Sequence, residues 1–518
     1  MASKPQKTPS LVQMSGVAED IKERLSSELV FALVGPVGSG VSTTAKLIRE
    51  KLTGPYKYSC PPILRPSDVI KEKASLLGKE APANRNSASY VGRMQDLGND
   101  LRQRFGNNYL VEKTIEKIHI FRRQNGGYNG DVELPGRRAY IIDSIKHMEE
   151  LDLLRSIYGD TLVVIGIFAP DEIRDLRLKD LGFPDDERAK VMSRDQGEVM
   201  TFGQDTRNVF VEADFFICND RTEVEVNEAV NRFLELIFDV GVRTPTLRES
   251  TMYKAESAAA KSACMSRQVG ASIVSSSGEL IAIGWNDVPK FGGGLYGEDD
   301  RRIFDEKSRG FRDGDKRCHN WSGGVCHNDQ NKDRIITQVV DEVAKIEGAD
   351  PKKRKDIESA VNRTDVKALI EFSRSIHAEM EAILSVAREG KHSLVGAILF
   401  TNTYPCHNCA RHIVAAGIKE VVYIKPYKKS LALKLHYDAI TEIPDETGKV
   451  LFRQYDGVAP SVYFKIFLTT RDRKSGGKIV SNPRESALPV FRVPLDAKSN
   501  YEDKVIADLA QKEQTPPT

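Results

Sequence analysis

The sequence predicts an α/β protein built as two domains in tandem. Short apolar runs of strand character alternate with amphipathic helical stretches in the first half of the chain and again in the second. At 518 residues the chain exceeds what one core ordinarily organises. Two motifs of different chemistry fall one in each half.

The bulk numbers narrow the class. With 40% hydrophobic and 29% charged residues the chain reads as globular and water-soluble. A net charge of +2 provides no global field for nucleic acid or a membrane. The longest apolar runs, such as "LVFALVG", are far too short to span a bilayer, so no membrane partner is expected. The opening "MASKPQKTPS" lacks the apolar core of a secretory signal. Seven cysteines, an odd number thinly spread, suit thiols in a reducing compartment, and the cytoplasm is the expected location.

Residues 1–15 are polar and expected to be disordered. Residues 16–242 read as a doubly wound parallel sheet. From Val17 to Lys51 the pattern is helix, strand, helix, the strand being "LVFALVG" and the second helix "STTAKLIREKL". "AYIIDSI", "TLVVIGIFA" and "ADFFICND" are further strands separated by helical stretches. Residues 250–495 form the second domain. The helix "RESTMYKAESAAAKSA" precedes a hairpin, "QVGASIVSSSGELIAIGWN", and a Gly- and charge-rich insertion runs from Pro289 to about Arg334. Helix "SRSIHAEMEAILSVAREG", strand "GAILFTNTYPC", helix "HNCARHIVAAGI" and strand "KEVVYIKPY" complete a βαβ pattern, giving a three-layer α/β domain. Residues 496–518 are the C-terminal tail, whose end, "QKEQTPPT", reads as frayed.

The sharpest signal is "IHAEMEAI" followed by "TNTYPCHNCA". Zinc takes nitrogen and sulfur ligands in a tetrahedron, and a catalytic site keeps one position open. His377, Cys406 and Cys409 supply three such ligands. A structural knuckle would be closed by a fourth, and the nearby sequence offers no further clear ligand, His407 and His412 reading as surface or core residues. Helix starts favour thiolate at C-x-x-C. Glu379, two residues after the histidine, is placed as a proton carrier rather than a ligand.

In the first half "GPVGSGVST" lies between a buried strand and a helix. Such a loop turns backbone N–H groups toward phosphate oxygens. Gly35, Gly38, Gly40, Ser42 and Thr43 fit a phosphate-binding loop, with Ser42 at the Mg²⁺ position, but Val41 stands where the pattern requires lysine. Lys46 or Arg177 is a candidate replacement for that charge. Without the lysine, nucleotide binding without phosphoryl transfer is expected.

The H-A-E and P-C-x-x-C pair resembles the zinc nucleotide deaminases, and "CMSRQVGASIVSSSGELIAIGWNDVP" resembles the first strands of deoxycytidylate deaminases. The resemblance implies a cytidine-deaminase-like fold, hydrolysis at C4 of cytosine with Glu379 carrying the protons, Asn286 touching the substrate sugar or base, and residues 269–273 walling the pocket. It also suggests a second, structural zinc near Cys318, His319, Cys326 and His327, with Cys264 as a ligand. "RMQDLGNDLRQRFG" and "DLRLKDLGFPDDERAKVMSRD" resemble the monophosphate-binding segment and lid of P-loop nucleotide kinases, with Arg93, Arg102, Arg177, Arg188 and Arg194 as candidate phosphate ligands.

A kinase-like half joined to a deoxycytidylate-deaminase-like half resembles the bacterial anti-phage dCTP deaminases. That resemblance implies free dCTP or dCMP as substrate, dCTP depletion on infection, and a homo-oligomer, the hexamer being common among relatives. A polynucleotide deaminase acting on tRNA or single-stranded DNA shares the zinc motif, but would call for a basic or aromatic channel that the composition does not suggest. A nucleotide-sensing regulated toxin is the third reading. The basic runs "KKRK" (352–355) and "RDRKSGGK" (471–478) read as solvated faces, with phosphate contact, including a regulatory RNA, as the alternative.

Overall fold

The computed structural model describes residues 24–82, 88–196, 203–220, 222–321, 323–427, 430–468 and 471–514. The expected disordered segment 1–15 and the start of the helix expected from Val17 lie outside them. Among the described residues no helix is long and apolar enough to cross a membrane. The chain divides into two compact units, residues 1–244 with 456–518, and residues 245–455.

In chain order the first unit begins with β1 (Leu29–Val34), α1 (Val41–Thr53), α2 (Ala88–Phe105), α3 (Tyr109–Gln124), β2 (Ala139–Asp143), α4 (Met148–Tyr158), β3 (Leu162–Phe168), α5 (Asp171–Asp180), α6 (Asp185–Gln196), β4 (Phe215–Cys218) and α7 (Glu223–Ile237). The four strands are parallel neighbours in the order β4-β3-β1-β2. Strands β1, β2 and β3 are buried along their whole length, as expected where helices cover both faces, and this explains their unbroken apolar runs. Helix α1 buries Thr44, Ala45, Ile48 and Leu52, a stripe at three- and four-residue spacing, and α7 starts on a capping box between Thr222 and Glu225.

The second unit contains α8 (Leu247–Ala259), β5 (Gly270–Val274), β6 (Leu280–Trp285), α9 (His327–Glu347), α10 (Ala378–Glu389), β7 (Ile398–Thr403), α11 (His407–Ala415), β8 (Glu420–Lys425), β9 (Ile440–Thr441) and β10 (Val450–Gln454). Its sheet runs β9-β10-β8-β7-β5-β6. β7, β8, β10 and β9 pair in parallel; β5 is antiparallel to both β7 and β6. Two glycines fix the layers. A Cβ at Gly270 would lie 1.9 Å from the Ala255 carbonyl of α8, and one at Gly284 would lie 2.4 Å from the Ala378 carbonyl of α10. Gly284 pairs with Ala271, the neighbour of Gly270, so the two helices cover opposite faces and three layers result. The region expected as plain insertion is more ordered than its composition suggests. It holds a hairpin, Ile303–Asp305 with Gly310–Arg312, and the start of α9, a helix hidden by its charge.

The second unit closes at Tyr455, not at the expected 495; residues 496–514 of the expected tail lie in a helix, which takes in the first four residues of "QKEQTPPT", the rest lying outside the described residues. β11 (Gly457–Val458) adds antiparallel to β4, and α12 (Leu495–Gln514) packs on α3. The physical reason is a buried charge cluster. Lys498 and Glu502 of α12 are 1% and 0% exposed. The Lys498 ammonium lies 2.6 Å from Glu28 and 2.8 Å from Glu133, while Arg122 donates to Glu28 at 3.0 Å and to both oxygens of Glu502. Arg138 also donates to Glu28. Ions this deep persist only when each is paired. Nearby cations hold the Glu28 carboxyl well below its ordinary range and bring Glu502 down to about 2, outweighing the effect of burial. A helix whose inward face carries lysine and glutamate looks solvent-exposed in sequence.

Candidate functional site

His377 and Cys406 occupy equivalent places, each being the residue that caps a helix start, α10 and α11 respectively. Each carbonyl accepts the first intrahelical bond, from Glu381 and Ala410 at 2.9 Å. The two helix starts are brought together, so a short motif on each delivers its side chains to one point. His377 Nδ1 lies 3.3 Å from Cys409 Sγ and 3.4 Å from Cys406 Sγ. One ligand atom from each of the three residues falls within 4.8 Å of the others. Both cysteines are buried. The hydrogen bond from Cys409, with help from His377, draws the Cys406 thiol down to about 4, and the same contact pushes Cys409 up. His377 rises to about 8, chiefly through Cys406. The donor set is compact and mixed N/S, which suits zinc, and three ligands leave a fourth position for water.

Glu379 is 4% exposed, and burial raises its carboxyl above the ordinary range. It lines, with His377 and Cys406, a cavity of about 290 Å³ whose wall also includes Asn286, Arg267 and Tyr427. The Asn286 amide is already engaged: its oxygen accepts from Val269 N at 2.7 Å and its nitrogen donates to the Arg267 carbonyl at 2.8 Å. One lone pair and one N–H remain for a ligand. Of residues 269–273, expected to wall the pocket, Val269 lines the cavity and the other four do not. Arg267 and Arg374, which sequence reasoning did not single out as site residues, also face it; their guanidinium groups stack on Tyr427 and Trp321.

The residues expected to hold a second zinc do not reach metal-site spacing. Among the described residues only His377, Cys406 and Cys409 meet metal-site spacing. Cys264, Cys318, Cys326 and His327 line the same cavity, but His319 pairs with Arg301 at 2.9 Å and lies 3.7 Å from Asp315. Cys326 and Cys264 are close enough to Cys318 to add to the effect of burial in raising its thiol, whereas His319 turns toward the loop that carries Asp315.

In the first unit the loop Gly35–Thr43 borders a cavity of about 560 Å³. Gly38 and Gly40 have φ of +81° and +89°, the left-handed region that favours glycine. A Cβ at Gly40 would meet Asn219 Nδ2 at 2.0 Å, so the crowding there comes from Asn219, which donates to the Ser39 carbonyl. Ser42 Oγ donates to Asp143 at 2.7 Å, joining the loop to the end of β2. Val41 packs against the hydrophobic core. Of the candidate arginines, Arg102 and Arg177 line the cavity, and Arg102 is buried against Glu150. Arg188 is paired with Asp175 and Asp185, Arg194 with Asp96, and Arg93 reaches the Glu80 carbonyl at 3.5 Å. Arg177 donates to the Gly38 and Asn219 carbonyls. Lys46, the other candidate for the missing charge, lines a different cavity. Sequence does not reveal counter-ions that arrive from distant residues, and those pairings were invisible in it.

Residues 245–425 match the model of the cytidine and deoxycytidylate deaminase zinc-binding region. The deoxycytidylate deaminase of Enterobacteria phage T2 is 46% identical over 55 residues, 11% of this chain and 29% of the phage protein, so the chain spans less than a third of that relative. A UPF0200 protein of Saccharolobus islandicus is 23% identical over 194 residues, 37% of this chain and 84% of the relative. The apo crystal structure of dCMP deaminase from the cyanophage S-TIM5 aligns at 18% identity with a TM-score of 0.22, covering 41% of this chain and 100% of that one.

Proposed function

We propose that the protein is a zinc-dependent hydrolytic deaminase of free deoxycytidine nucleotides, dCTP or dCMP, converting them with water to the uracil nucleotides and ammonia. The observation that carries this reading is the convergence of His377, Cys406 and Cys409 beside a buried Glu379 on one cavity wall. These three residues would hold zinc, which when bound supplies a Lewis acid that acidifies water. Glu379, its carboxyl raised by burial, takes one proton from the attacking water and delivers it to the pyrimidine ring nitrogen, then takes the remaining hydroxyl proton and delivers it to the departing amine. Asn286 orients the sugar or base with its remaining lone pair and N–H. The cavity of about 290 Å³ suits a small molecule rather than a polymer strand.

The first unit, in this reading, binds a nucleotide through Gly35, Gly38, Gly40, Val41, Ser42 and Thr43, and the bound nucleotide adjusts the deaminase. A cytoplasmic homo-oligomer that depletes dCTP during phage infection accords with the pairing of the two units in one chain. Incubating the purified protein with each deoxynucleotide, with single-stranded DNA and with tRNA tests the substrate. Ammonia release from dCTP or dCMP alone is the expected result, and release from the polymers alone overturns it. Measuring dCTP pools in infected cells with and without the protein tests the defence role.

A further inference from the structure

The loop Gly35–Thr43 has the backbone of an anion site and lacks its cation, because Val41, which lines the cavity and packs against the core, carries no charge. The cations lining its cavity are Arg65, Lys71, Arg102, Lys146 and Arg177. Arg65 is paired with Asp143, Lys71 with Asp68, and Arg102 with Glu150. Arg177 is held by neutral carbonyls of the loop and of Asn219, which suits keeping the loop in shape.

Lys146 differs. It follows β2, and its ammonium sits on the loop itself, donating to the Gly35 carbonyl at 2.9 Å. Its other partner is Asp195 Oδ1 at 2.9 Å, and the second oxygen of that carboxylate accepts the Val37 N–H at 2.6 Å. Asp195 is 3% exposed and lies near the end of α6, in the segment resembling a lid. One carboxylate thus takes a loop N–H and an ammonium together, the two kinds of donor that a phosphate oxygen takes.

We propose that Lys146 is the phosphate-neutralising cation of this loop, supplied from outside it in place of Val41, and that the Asp195 carboxylate occupies the anion position until a nucleotide phosphate displaces it. The inference rests on the reading that the loop binds a nucleotide. The ligand class is a nucleoside polyphosphate, recognised through its terminal phosphates.

The test measures binding of Mg-ATP, Mg-GTP and inorganic tripolyphosphate to the full chain by calorimetry, with zinc content and thermal unfolding followed as controls for folding. Lys146→Met is expected to weaken binding by about 10- to 100-fold, the range of one charge-assisted hydrogen bond. Asp195→Asn, which removes the competing charge, is expected to tighten it severalfold, and Val41→Lys in the Lys146→Met background to restore part of the loss. Wild type that binds none of the probes overturns the nucleotide reading itself. Wild type that binds, with Lys146→Met binding equally well, overturns this inference and leaves that reading standing. If Asp195→Asn weakens binding as much as Lys146→Met, the pair is a structural clip, and the inference is equally overturned.

Discussion

The two units build their sites in opposite ways. In the second, each reacting side chain is placed by a motif a few residues long at a helix start, and folding has only to bring two helix starts together. In the first, the loop is local, but the charges around it arrive from β2, α5 and α6, and most are already paired with carboxylates. A site written into short motifs is read easily and broken by one substitution. A site assembled from distant charges is hard to read and degrades by steps.

Cys406→Ala or Cys409→Ala breaks the second unit's site outright. Both metal and deamination are expected to be lost, as metal analysis and an ammonia assay would show; full zinc occupancy in both variants would place the ligands elsewhere. Glu379→Ala should keep the zinc and lose about 10²–10⁴-fold in turnover. Near-normal turnover would remove Glu379 from the proton path.

Lys498→Met sharpens the comparison from the other side, because it leaves Glu28 and Glu133 buried with one cation fewer. A loss of about 3–5 kcal/mol is expected in the first unit, read by denaturant unfolding, while zinc content stays unchanged. The same cluster predicts a pH dependence. Glu502 is held at about 2 against an ordinary 4.5, so its contribution is full above about 4.5 and is lost as the pH falls toward 2. Glu502→Gln should flatten that acid limb; an unchanged limb would assign it to other carboxylates.

Gly284→Ala is a subtler break. The added methyl meets the Ala378 carbonyl, between His377 and Glu379, and should cost about 1–3 kcal/mol or shift α10 enough to lower turnover with the metal still bound. The smallest effect is expected of Cys318→Ser, which should leave zinc content unchanged. A loss of one ion per chain would show that a second site forms after all.

The same contrast explains what the sequence could tell. His377, Glu379, Cys406 and Cys409 were legible because their relative placement is fixed by helix geometry over two or three residues. Both parallel cores were legible from strands such as "LVFALVG", whose unbroken apolar runs have few other readings. Lys146 and Asp195 were not, since nothing local says that residues 37, 146 and 195 meet. The partners of Arg188 and Arg194 were only partly legible, since Asp185 lies one helical turn from Arg188 while Asp96 reaches Arg194 from another helix. Lys498 and Glu502 were passed over because a polar helix is normally a wet one, and only the fold supplies the buried partners that make an exception.

The course of the chain also sets an order of events during synthesis. Glu28, Arg122 and Glu133 leave the ribosome early, and all of residues 245–455 must be made before Lys498 and Glu502 follow. At ordinary elongation rates that is a wait on the order of tens of seconds. Over that interval the second unit is free to fold and the first lacks part of its charged seam, with Glu133 without its Lys498 partner and Arg122 without its Glu502 partner. The nascent first unit is then a natural client for chaperones, and its closing step comes last, when α12 docks.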